Sequence, residues 1–115
     1  GDIRRIDSSM VSGGCVIVNS ELSNSLLFSS VRVDNGCTLE GVLALPGCEI
    51  GAGSKLRNVI LDNRCEVPPG TIIGEDRSAD AQRFDITDDG IVMVNRRMLG
   101  QRETYIPGQH LPPMP

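Results

Sequence analysis

The chain has 115 residues and a mass of 12.4 kDa, room for one domain, and aromatic residues supply only 3% of it, which argues against a core built around large rings. A net charge of −4 and a pI near 4.8 remove the electrostatic footprint of a nucleic-acid binder. No run reaches the length of a membrane-spanning helix and no charged-then-apolar leader opens the chain, so the expected setting is soluble and cytoplasmic.

The chain repeats itself at a short period, which points to a stacked architecture in which each copy buries its face on the next. Residues 33–49, VDNGCTLEGVLALPGCE, align without a gap on residues 50–66, IGAGSKLRNVILDNRCE, with identities at Gly36/Gly53, Leu39/Leu56, Val42/Val59, Cys48/Cys65 and Glu49/Glu66. The period divides as six, six and five, and those steps fall on Met10, Val16, Leu22, Leu27, Val33, Leu39, Ala44, Ile50, Leu56, Leu61, Val67 and Ile73, all apolar. Two residues before each step from Val16 onward stands a small one: Gly14, Ser20, Ser25, Val31, Cys37, Val42, Cys48, Ser54, Val59, Cys65 and Thr71. Residues two apart share one side of a strand. Each short strand therefore sends one small and one larger side chain inward, and three strands per repeat make a triangular coil. Residues 10–74 supply about four coils of parallel strands. Asn35-Gly36, Gly47, Gly51 to Gly53 and Pro68-Pro69-Gly70 mark corners where the chain bends sharply.

Beyond Ile73 the rhythm stops. Residues 75–100 read as a cap that covers the apolar end of the stack. Its parts are a helical turn around Ala79 to Phe84, a hairpin of Asp85 to Thr87 with Ile91 to Val94 across Asp88-Asp89-Gly90, and a short helix from Asn95 to Leu99 ending at Gly100. Residues 101–115, with four of the seven prolines, are expected to be irregular or mobile.

Few side chains suggest chemistry. The four cysteines form no Cys-x-x-Cys and the only histidine, His110, lies in the tail, a poor pattern for zinc. Cys37, Cys48 and Cys65 occupy small inward slots, where a thiol behaves as a small hydrophobe. Rung spacing permits a Cys48–Cys65 disulfide, while a reducing cytosol and parallel buried side chains argue against one. Cys15 falls outside the inward slots and reads as a partly exposed free thiol. Asp34, Glu40, Glu49, Asp62 and Glu66 fall at outward, solvated positions.

The apolar, variable, variable, variable, small, variable unit resembles the hexapeptide repeat of left-handed β-helices, which implies the hand of the coil. Many such proteins are acyltransferases with a coil-borne histidine base; no coil here carries one. VSGGCVI at 11–17, LLFSSVRV at 26–33, IGED at 73–76, DAQRF at 80–84 and GIVMVNRRML at 90–99 together resemble the C-terminal portion of the bacterial glucose-1-phosphate adenylyltransferase family. That family joins ATP and glucose 1-phosphate, with Mg2+, into ADP-glucose and pyrophosphate for glycogen synthesis.

The resemblance implies that the nucleotide chemistry, with its ATP and Mg2+, resides in an N-terminal catalytic domain, that residues 1–9 are a linker from it, and that this chain is itself non-catalytic. It further implies contact with that domain, assembly into a homotetramer and part of a site for phosphorylated effectors. An effector-binding arginine of the family matches Arg96, with Arg97 beside it. A second family arginine falls at Asn63, with Arg64 one step on, and a third falls at Gly100, so the effector is left open. The competing reading is a standalone β-helix module for oligomerisation or scaffolding.

Overall fold

A computed structural model describes residues 5–101, Arg5 by its backbone alone. The first coil holds β1 (Arg5–Asp7), β2 (Met10–Val11) and β3 (Val16–Ile17). The second holds β4 (Glu21–Ser23), β5 (Leu26–Leu27) and β6 (Arg32–Val33). The third holds β7 (Thr38–Glu40), β8 (Leu43–Ala44) and β9 (Glu49–Ile50), and the fourth β10 (Lys55–Arg57), β11 (Val59–Leu61) and β12 (Glu66–Val67). After β13 (Ile72–Ile73) come α1 (Arg77–Arg83), β14 (Asp85–Ile86) and β15 (Val92–Val94). The strands stack into three sheets, β1-β4-β7-β10-β13, β2-β5-β8-β11-β15-β14 and β3-β6-β9-β12. Only the β14–β15 pair is antiparallel. This is the parallel β-helix of about four coils that the repeat predicts, of the left-handed kind that the resemblance to hexapeptide β-helices implies.

From Leu22 onward the inward column is as read from the sequence: Leu22, Leu27, Val33, Leu39, Ala44, Ile50, Leu56, Leu61, Val67 and Ile73 are all buried. The first coil departs from it. Ile6 pairs with Leu22, Val11 with Leu27 and Ile17 with Val33, an interval of sixteen residues rather than seventeen. Ile17 is therefore the buried residue, while Val16 is 50% and Met10 70% exposed. The small slot correspondingly belongs to Cys15, not Gly14; the thiol packs on the core and donates to the Phe28 carbonyl at 3.0 Å. Ahead of the expected start at Met10, β1 already stacks in parallel on β4, so the solenoid includes Arg5–Asp7. Residues 1–4 and 102–115, His110 among them, lie outside the described residues.

Every corner turns through a residue in the left-handed region. One column is Asn19, Gly36, Gly53 and Gly70, the next Ser8, Asn24, Gly41 and Asn58, and the third Gly14, Ser30, Gly47 and Arg64. Inward serines close hydrogen bonds between rungs: Ser20 Oγ accepts from the Cys37 N–H at 3.0 Å and Ser25 Oγ from the Val42 N–H at 3.1 Å. Buried hydroxyls thus have partners, which removes the penalty for placing them inside.

The cap sits on the fourth coil. α1 is capped at its start by Asp76, whose side chain accepts from the Ala79 N–H. Asp80, 2% exposed, accepts from the Gly74 N–H at 2.8 Å and from Arg83 at 3.4 Å, tying helix to solenoid. Arg83 lies 4.8 Å above the Phe84 ring, and Phe84 is buried in the core cluster. The hairpin forms as expected. Residues 96–100, expected as a short helix, are instead a succession of turns, because Gly100 at φ 74° and the bond from the Gln101 N–H back to the Arg96 carbonyl stop propagation.

Candidate functional site at a coil corner

The faces of the prism differ. On the outer side of the second sheet, Met10, Leu26, Leu43, Ile60 and Met93 stand in register, one per rung, an unbroken apolar column. The corresponding column of the third sheet is Val16, Arg32, Glu49 and Glu66, and that of the first includes Glu21, Thr38, Lys55 and Ile72. The predicted binding arginines lie where the second and third sheets meet.

That corner is built by stacking. β11 runs into Asp62, whose N–H donates to the Val94 carbonyl of β15 at 2.9 Å, so Asp62 and Asn95 lie on adjacent rungs. Asn95 Oδ1 accepts from the Met98 N–H at 2.9 Å, the cap expected from the sequence, although it opens a turn and not a helix. Asp62, Asn95, Arg96 and Arg97 line a cavity of about 170 Å³. Arg97 is exposed and Arg96 half-buried. Arg64 does not line that cavity; it occupies the adjoining corner, one rung below.

Two features of this corner were not read from the sequence. Arg64 sits at φ 56° in a column otherwise filled by Gly and Ser, a conformation that a Cβ-bearing residue adopts at a cost. Gln101 binds the edge of β12: its Nε2 donates to the Arg64 carbonyl at 2.5 Å and its Oε1 accepts from the Glu66 N–H at 2.7 Å. Its own N–H donates to the Arg96 carbonyl at 2.9 Å. No local signal marked Gln101, since it opens the proline-rich stretch and contacts residues 35 and 37 positions away.

A larger cavity, about 470 Å³, runs along the third sheet beside Arg32, Asp34, Glu49 and Glu66 under the overhang of Leu99 to Gln101. With three carboxylates to one guanidinium it repels anions, so the smaller arginine-lined cavity suits a phosphate better. Three of the four thiols are buried in the stack. Burial pushes Cys37 above its ordinary value, and the neighbouring Cys48 side chain together with burial pushes Cys65 far above it. Thiolate, the reactive form, is thereby suppressed at Cys37 and Cys65, while the hydrogen bond with the Cys65 side chain draws Cys48 below its ordinary value.

Fold and corner together define a hexapeptide-type β-helix domain carrying an arginine pair at its capped end. The chain belongs to the GlmU-like, C-terminal hexapeptide family, whose pattern matches residues 2–94. It is 46% identical to the glucose-1-phosphate adenylyltransferase of Nitrosococcus oceani over 98 residues, 85% of this chain and 23% of that protein. Enzymes of the same name from Francisella tularensis subsp. novicida and Paraburkholderia phytofirmans are 40% and 44% identical over 84% and 81% of the chain, which covers 23% and 22% of their lengths. The chain thus spans under a quarter of the length of the curated relatives it matches.

Proposed function

We propose that this chain is the regulatory and assembly β-helix of a glucose-1-phosphate adenylyltransferase, the cytoplasmic enzyme that makes ADP-glucose and pyrophosphate for glycogen synthesis. The observation that carries this reading is identity of 40–46% to enzymes of that name across 81–85% of the chain, solenoid and cap together. A β-helix used for acyl transfer or scaffolding has no need of this family's cap. In this reading the adenylyl transfer, with its ATP and Mg2+, belongs to a separate N-terminal catalytic domain, and no residue of this chain is assigned to them. The apolar column of the second sheet supports a docked partner, since a row of five apolar residues across the stacked rungs is more than scattered surface hydrophobics. We assign it to that catalytic domain, within a homotetramer.

Regulation falls to the corner. A phosphorylated metabolite carries concentrated negative charge, and a guanidinium answers it with paired, charge-assisted hydrogen bonds. Arg96 and Arg97 line the cavity, and Arg64, on the adjoining corner, is assigned to the same effector. Asp62, on the same cavity wall, opposes the anion and sharpens the demand for two arginines. The test is activation of the full-length enzyme: Arg96→Ala raises the activator concentration for half-stimulation about ten-fold, the equivalent of losing one charged hydrogen bond. An unchanged activation curve would return Arg96 to a solvated surface role.

A further inference from the structure

The three hydrogen bonds of Gln101 fall on both halves of the arginine corner. Strand β12 is the terminal strand of its sheet, so the Arg64 carbonyl and the Glu66 N–H face outward with no further rung to receive them. The Gln101 amide supplies the missing pair: Nε2–H donates to Arg64 O and Oε1 accepts from Glu66 N–H. That is the donor and acceptor pattern a residue of a neighbouring parallel strand presents. At the same time the Gln101 backbone N–H closes the turn on the Arg96 carbonyl. One residue therefore bonds directly to the backbone of Arg64 and of Arg96.

Arg64 supplies a second, independent observation. The corner it occupies turns at φ values of 78°, 59° and 80° in the coils below, on Gly14, Ser30 and Gly47. Across all three corner columns only Gly, Asn and Ser fill the other left-handed positions among the described residues. A long cationic side chain at this point costs backbone energy that Gly would avoid. A residue held against its own preference needs a neighbour that fixes it, and the Gln101 bond to its carbonyl does so.

We infer that Gln101 is a positioning residue for anion binding, an amide clamp that ties the Arg96–Arg97 turn to the edge of β12 so that both guanidinium groups serve one phosphoryl group at the cavity they line. This rests on the effector-site reading above.

Inorganic pyrophosphate is the probe. Its binding to the 115-residue chain, followed by arginine Nε–Hε NMR signals, should give a Kd that rises about five- to ten-fold in Gln101→Leu and in Gln101→Asn, which keeps the amide but is one methylene short. Arg96→Ala should weaken binding comparably, and Gln101→Leu added to Arg96→Ala should cost little more, since the clamp acts through the arginine it places. Wild-type affinity in both Gln101 variants, or full additivity with Arg96→Ala, overturns the clamp and leaves the effector site standing. Absence of any saturable pyrophosphate binding by the wild-type chain overturns the effector site and the clamp with it. Should Gln101→Leu unfold, Gln101→Asn with an unchanged circular dichroism spectrum decides the matter alone.

Discussion

The first coil and the two central coils are built from the same kinds of residue and fare very differently. Leu39, Ala44 and Ile50, with a rung above and a rung below, are at most 1% exposed, whereas Ile6 and Val11 on the first coil are 36% and 40% exposed. The difference is one of neighbours. In a stack, a rung contributes half of each interface on its two sides, so burial belongs to the repeat pair and not to the residue. At the other end the cap restores the missing neighbour: Val92 and Val94 of β15 and Phe84 close the column to 6% exposure or less.

The largest test of this contrast is a carboxylate placed inside. Leu56→Asp buries an unpaired charge between two rungs and should cost several kcal/mol, a large share of the stability of a domain this size. Ile6→Asp makes the same chemical change on the open coil and should cost no more than about 1 kcal/mol. Lys55→Asp, outward on the same strand as Leu56, should cost less still. Thermal melting ranks all three, and equal losses at positions 56 and 6 would mean that stacking does not set burial.

A second test sharpens the contrast between faces rather than ends. Ile60→Lys lies mid-column on the apolar side of the second sheet, where the charged head can reach water. The chain itself should lose about 1 kcal/mol or less, while the full-length parent should lose most of its activity or its oligomer if that face carries a docked domain. Light scattering and turnover of the parent, set against the melting of the chain, separate the two effects.

The same contrast explains what was legible in the sequence. From Leu22 to Ile73 each inward residue is squeezed by two neighbours, so the six, six, five rhythm is written into side-chain size and can be read off. The first coil is a residue shorter, yet Met10 and Val16 happen to be apolar, and on an open rung nothing penalises that. Periodicity alone therefore ran on through the slip. The arginine corner was legible only as residue types, by resemblance. Which arginines share a cavity depends on Asp62 and Asn95 stacking across rungs, and Gln101 binds a strand edge far away in the sequence. Neither leaves a periodic trace.

A smaller effect follows from the thiols on the buried rungs. Burial holds Cys37 protonated, and the neighbouring Cys48 side chain together with burial does the same for Cys65, with both folded values above an ordinary value of 9.0. A group whose value is raised on folding favours the native state only while the unfolded chain keeps its proton, so this stability is present below about pH 9 and fades as the pH rises through it. Urea midpoints should fall between pH 8 and pH 10 more steeply in the wild type than in Cys37→Ala. In native conditions a thiol reagent should modify half-buried Cys15 well before the other three.

The smallest expected change concerns Arg64, and its sign is what matters. At φ 56° any side chain crowds its own carbonyl, a strain of about 1 kcal/mol that glycine escapes, offset in part by the extra chain entropy glycine loses on folding. The Gln101 bond to this corner goes to the main-chain carbonyl, so it survives the loss of the side chain. Arg64→Gly should therefore leave the urea midpoint unchanged or raise it by the equivalent of about 0.5 kcal/mol, while weakening pyrophosphate binding several-fold. Arg64→Val, which adds β-branching at the same left-handed position, should destabilise by more than about 1 kcal/mol. Opposite signs for Gly and Val, with binding lost in both, would mean that the corner gives up stability to hold a cation. Equal destabilisation by Gly and Val would instead make Arg64 a packing residue, supported by its stem lying against Gly47, and would leave the anion to Arg96 and Arg97 alone.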